Sequence, residues 1–191
     1  MPVKIPRLML CAALVPVLAA CSLTGKESAM FLIDPPTQAA TLPNRLGRIE
    51  VREVTLPQYA TGQEIVRQGA DGALRSDPAT LWADEPARGL ARALARQISE
   101  ASGATAVAAP WPLTTPPDRR LEVRVDRIFA GRDGRFYLTG QYFVAPLTEE
   151  GRDIVRRFDL VEPIAGPDAA GVAAAQSRAV QTLARQIAQL K

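Results

Sequence analysis

Apolar residues recur every fourth position after Pro86: Leu90, Leu94 and Ile98, joined by Ala87, Ala91 and Ala101, share one face of a helix that ends near Gly103. Asp84 or Glu85 ahead of Pro86 marks its start, because a side-chain oxygen can cap free amides and proline is tolerated in the first turn. A second helix opens at Pro167-Asp168, with Val172, Val180, Leu183, Ile187 and Leu190 on one face and Arg178 and Arg185 outside it.

Alternation of period two marks the strands. In Arg120 to Phe129, Leu121, Val123 and Val125 point one way and Glu122, Arg124 and Asp126 the other. Arg132-Asp133-Gly134-Arg135 is a hairpin turn, Phe136 to Ala145 the return strand, Thr148 to Gly151 a second turn, and Asp153 to Val161 a third strand. Three hairpin-linked strands make an antiparallel meander. Arg48 to Leu56 is also β-rich, but Val54 and Leu56 fall on the parity opposite to Ile49 and Val51, which predicts a bulge near Glu53. Glu64 to Gln68 and Ala73 to Arg75 flank Gly69-Ala70-Asp71-Gly72 as a hairpin, and Ala104 to Ala109 reads as a short buried strand running into Pro110-Trp111-Pro112.

The pattern predicts an α+β fold: a two-layer domain, mainly antiparallel β-sheet, with two amphipathic helices packed on one face. That single domain spans residues 46–191. Residues 21–45 contain Pro35, Pro36 and Pro43 and one brief apolar patch at Met30 to Ile33, and they read as a tether leading into a first short extended segment.

Ahead of the tether, Lys4 and Arg7 precede an apolar stretch from Leu8 to Leu18 and small residues, the three parts of a secretory signal over residues 1–20. The apolar run is short of the about 20 residues that span a bilayer as a helix. It ends in Leu18-Ala19-Ala20-Cys21, which resembles the lipobox at which bacteria acylate the cysteine and cleave before it. Cys21 is therefore the expected lipidation site and the membrane anchor. Ser22 follows it; in lipoproteins of well-studied double-membrane bacteria aspartate there favours inner-membrane retention and serine permits export, so the expected location is the periplasmic face of the outer membrane.

Cleavage at Cys21 removes Lys4 and Arg7, leaving 21 basic against 20 acidic side chains, a balance that gives no argument for a nucleic-acid partner. Cys11 goes with the signal and Cys21 is acylated, so no thiol remains for a disulfide, a metal or a nucleophile. Histidine is absent altogether, which removes the commonest general base and zinc ligand. The acid pairs Asp84/Glu85 and Glu149/Glu150 are adjacent in sequence and do not face each other across a cleft. Ser177 and Thr182 have no histidine to activate them, and Lys26 and Lys191, the mature lysines, lie near the ends. No cofactor and no metal are expected, and an enzyme is not; a carboxylate-only hydrolase would need two facing acids.

Ile49 to Tyr59 (IEVREVTLPQY), Glu64 to Gln68 (EIVRQ), Leu81 to Ile98 (LWADEPARGLARALARQI) and Pro110-Trp111-Pro112, followed by a helical C-terminus, resemble the PqiC-type ABC-transport auxiliary lipoproteins in order and content. The Leu-Pro-x-Tyr after the first strand and the Trp-Ala-acid-Pro at the helix start carry most of this. The resemblance implies an accessory role in lipid traffic between the inner and outer membranes. Its partners would be an MCE-type periplasmic tunnel protein and an inner-membrane ABC transporter, whose ATPase supplies the energy. This chain has no phosphate loop of its own, since Gly131-Arg132-Asp133-Gly134 lacks the lysine and the spacing. The alternative is an interaction lipoprotein that regulates another envelope machine, such as a cell-wall synthase; crossing the periplasm would take a longer tether.

Four residues are candidates for partner binding. Arg88, Arg92 and Arg96 form a stripe opposite the leucines, readable as a solvated helix face or as a docking surface for an acidic partner or lipid head groups. Trp82 and Trp111 flank the helix-strand unit; Trp82 is read as a core anchor, and Trp111 stays open between core and partner hot spot.

Overall fold

The computed structural model of the protein describes residues 27–148 and 151–190. The signal segment, Cys21, Lys26, the Glu149/Glu150 pair and Lys191 lie outside them. An eight-stranded mixed sheet and two helices form an α+β fold. The strands are β1 (Ala29–Phe31), β2 (Arg48–Val51), β3 (Glu64–Gln68), β4 (Leu74–Trp82), β5 (Thr105–Ala108), β6 (Arg119–Ala130), β7 (Arg135–Pro146) and β8 (Ile154–Pro163). Helix α1 (Pro86–Ser102) lies between β4 and β5, and α2 (Ala169–Ala188) closes the fold.

The meander is the spine. β6, β7 and β8 pair antiparallel along their lengths, and their alternation puts Leu121, Val123, Phe136, Leu138, Val144, Phe158 and Leu160 in the core. The free edge of β6 carries β2 at its start, Thr55 in its middle and β3 at its end, all parallel to it. The parity switch at Glu53 is the gap between β2 and Thr55, where Val54 turns inward and the Thr55 N–H donates to the Val123 carbonyl at 2.9 Å. β5 adds to β2 in parallel as an edge, so its side chains stay half-exposed where the sequence suggested a buried strand. Parallel pairing gives the sheet its mixed character; it needs partners distant in sequence, which local alternation does not encode.

Both helices bury the face their periodicity defines, with Leu90, Leu94 and Ile98 from α1 and Val172, Val180, Leu183 and Ile187 from α2. Asp168 caps α2 through the Gly171 N–H at 2.8 Å. Glu85 is the N-cap residue of α1 but makes no side-chain cap bond, contrary to the capping role expected of Asp84 or Glu85. Gly103, at φ 70°, takes the left-handed conformation that ends α1.

Two further expectations are corrected. β4 is longer than Ala73 to Arg75 and runs to Trp82: Ser76 pairs Val66 and Leu81 pairs Glu64, so Asp77 and Pro78 bulge out of the ladder where no N–H is needed. The second concerns the tether. From Ser28 onward the segment is bound to the domain, because helix side chains satisfy its backbone. Asp34 N–H donates to Ser177 Oγ at 3.1 Å, Gln181 Nε2 to the Pro36 carbonyl at 3.1 Å, and the N–H groups of Thr41 and Leu42 to the Ala101 carbonyl. Buried Gln97 accepts from Gln38 Nε2 at 3.0 Å and donates to Glu100 at 2.8 Å. Residues 34–42 are thus a strap across α1 and α2.

Carboxylates lock the turns and the sheet junction. Asp71 accepts from Arg75 at 2.7 and 2.6 Å and from the Ala73 N–H, the guanidinium first among the causes that bring its pKa down to about 2. The Arg48 N–H, followed by the guanidinium of the same residue, holds Asp118 below its ordinary value; the Tyr137 hydroxyl, at 2.5 Å, does the same for Asp133. Each carboxyl therefore binds its proton less readily folded than unfolded. Their stabilisation is complete above about pH 4 and is lost as pH falls through the folded pKa values, towards 2 for Asp71. Urea unfolding should give midpoints that decline across this interval, and Asp118→Asn should flatten the decline; a midpoint constant down to pH 2 would contradict the assignment.

Candidate functional site

The three arginines project from α1 at successive turns, as their spacing requires, but none is a free cation. Arg88 Nε lies 3.2 Å from Glu85 and 3.9 Å from Glu53, Arg92 pairs with Asp84, and Arg96 lies 2.7 Å from Asp34. These are exposed pairs worth about 0–1 kcal/mol each, so their effect is on charge rather than on stability. The stripe is matched by acids of its own chain. Glu53, Asp84 and Asp34 come from the segment after β2, the α1 entrance and the strap, and for Glu53 and Asp34 only the tertiary fold brings them to the helix.

Arg88 and the loop that carries Trp111 are each tied to the chain at the end of β2. Arg88 reaches Glu53, two residues beyond Val51, and the Val51 carbonyl accepts from the Ala109 N–H at 2.8 Å, which starts the loop carrying Trp111. The Ala109–Pro110 peptide is cis. Trp111 is half-buried, its indole N–H donating to the Thr115 carbonyl at 2.9 Å, and Leu113 in the same loop is exposed. A tryptophan tied down in an exposed loop is of the residue type enriched at protein interfaces. Trp82, by contrast, is buried at the end of β4 in register with Phe31, as a core anchor.

Arg92 and Arg96 lead away from that end. With Phe31, Leu32, Ile33, Trp82 and Asp84 they line a groove of about 180 Å³ between β1 and α1. The face of the meander that points away from the core carries a wider depression of about 460 Å³, lined by Asp126, Arg127, Arg157 and Asp159 among others. The first is small beside ligand pockets of ~300–1,000 Å³, and the second is charged where an acyl chain needs apolar walls.

Three of the side chains that could suggest catalysis are otherwise employed. Asp84 and Glu85 turn outward to Arg92 and Arg88, and Ser177 Oγ holds the strap. Among the described residues no group of three or more acidic, histidine or cysteine side chains is placed to hold a metal, and no helix is long and apolar enough to cross a membrane.

Residues 31–188 match the family model described as ABC-type transport auxiliary lipoprotein component. Two solved structures have similar folds. One, a crystal structure of an uncharacterized protein, is 22% identical with a TM-score of 0.65 and covers 80% of this chain and 95% of its own. The other, protein XCC0632 from Xanthomonas campestris, is 19% identical with a TM-score of 0.62 over 80% of this chain and 90% of its own. No curated protein matches the chain.

Proposed function

Since the chain belongs to the family of ABC-type transport auxiliary lipoprotein components, we propose that it is the outer-membrane accessory subunit of an intermembrane lipid transport system, docking an MCE-type tunnel protein to the membrane. The observation that carries this is the extent of the family match. It covers the strap, both helices and β2 to β8, so the family's architecture accounts for nearly everything described.

The physical features support a binding role. Asp84 is paired with an arginine, Asp71 and Asp118 hold a turn and a sheet junction, and the family is one of transport auxiliaries. The depressions do not suit an enclosed lipid, so the chain contributes a surface and the transporter's ATPase supplies the energy. A lipidated Cys21 places that surface at the membrane, and Ser22 favours the outer one. Because Ser28 is already bound to the Pro78 carbonyl of β4, only the seven steps of chain from residue 21 to residue 28 separate the anchor from the domain. At about 3.5 Å each they reach roughly 25 Å, too little for a regulator that must cross the periplasm. The partner comes to the membrane.

Trp111, with Arg88 and Leu113, is the docking end. Trp111→Ala should weaken the partner complex by about 2 kcal/mol, as a buried interface tryptophan does. Stability should change little, since the side chain is half-exposed in a loop. Co-purification of the tagged protein from detergent-solubilised membranes reads this directly: recovery of the MCE-type protein should fall. Unchanged recovery would remove Trp111 from the interface, and recovery of a cell-wall synthase instead would replace the transport reading.

A further inference from the structure

The two most exposed large apolar side chains among the described residues are Met30, at 68%, and Leu32, at 61%. They are neighbours on the first segment of the domain, and strand alternation explains the arrangement. Phe31 and Ile33 turn inward and pack against the core, while Met30 and Leu32 turn out. β1 is an edge strand paired only with β4, and its entrance is fixed where Ser28 Oγ donates to the Pro78 carbonyl at 2.9 Å. Leu32 also borders the groove that holds Arg92 and Arg96.

We propose that this edge is the face the domain lays on the bilayer, with Met30 and Leu32 entering the boundary between phospholipid head groups and acyl chains. The inference rests on the reading of Cys21 as the lipid anchor. Given that anchor, the reach of residues 22–28 keeps Ser28 within roughly 25 Å of the surface, and the apolar pair follows two residues later. An apolar pair held that close to a membrane gains by burying itself in the interface. Arg92 lines the same groove as Leu32, where lipid phosphates can compete for its guanidinium with Asp84. The lipid chains then fix the domain's position, and the edge fixes its orientation.

The test uses the lipidated mature protein, whose one native cysteine is acylated, so that an introduced thiol is unique. Met30→Cys, Leu32→Cys and, on the sheet's outer face, Val155→Cys are labelled with an environment-sensitive fluorophore. Each is reconstituted into phosphatylethanolamine and phosphatidylglycerol vesicles with or without lipids carrying a nitroxide near the head group. Labels at 30 and 32 should shift to the blue and be quenched severalfold more than the label at 155. Equal, weak quenching at all three positions in protein that floats with the vesicles overturns the orientation and leaves the anchor standing. A blue shift at 30 and 32 without lipid quenching overturns it in favour of a second protein copy on this edge. Protein that does not float overturns the anchor and the orientation together.

Discussion

Cys21→Ala is expected to abolish incorporation of labelled palmitate and to leave the chain unprocessed at the lipobox, an all-or-none effect. In the proposed reading the thiol is the acceptor of the lipid, and the mature chain has no second one to substitute for it. Each buried methylene contributes about 0.8 kcal/mol, and two or more acyl chains turn marginal attachment into stable anchoring. No described helix can replace that anchor by crossing the membrane. Metabolic labelling with palmitate, read beside the mobility of the processed and unprocessed chains, gives the answer; palmitate retained in the variant would refute lipidation at Cys21.

The largest expected effect on stability is at Gly140. It stands opposite Val125, where the β6–β7 register shifts and Asp126 becomes the extra residue. A Cβ at Gly140 would lie 2.2 Å from the Arg124 carbonyl oxygen and 2.9 Å from the Phe158 ring. The carbonyl belongs to a paired strand and cannot swing aside as a flexible side chain would. Gly140→Ala should therefore cost about 3 kcal/mol, the upper part of the range for overpacking. With a slope of roughly 2 kcal/mol/M, the urea midpoint should fall by more than about 1 M. An unchanged midpoint would mean that the bulge can shift along β6.

Where local pattern decides the structure, the sequence is readable. Leu90, Leu94 and Ile98 sit on the buried face of α1, Asp133-Gly134 turns between β6 and β7, and the parity switch after Val51 is a real break in pairing. Where distant partners decide it, the sequence is silent. Pro35 and Pro36 look like linker in composition, yet Gln97, Ser177 and Gln181, each more than 60 positions further on, hold that stretch down. Asp77-Pro78 looks like the end of a hairpin, and only the bulge against β3 lets β4 continue through it.

The candidate site divides in the same way. The spacing of Arg88, Arg92 and Arg96 gives their common face, but not the acids that neutralise them. Asp84 is close enough in sequence that its pairing with Arg92, two turns into the helix, could be anticipated; Asp34 on Arg96 could not. Trp111 has a local signal, the flanking prolines, whereas the tie of its loop to the end of β2 depends on β2 lying beside β5. Met30 to Ile33 are apolar without a break, a patch within an apparent tether, and which pair faces outward is set by β4.

In-cell crosslinking of the lipidated protein, followed by purification from membranes and mass spectrometry of the adducts, reads the partner itself. Adducts with an MCE-type tunnel protein are expected, together with co-recovery of its ABC transporter's ATPase. Adducts with cell-wall synthases, or none with any transport component, would contradict the transport reading.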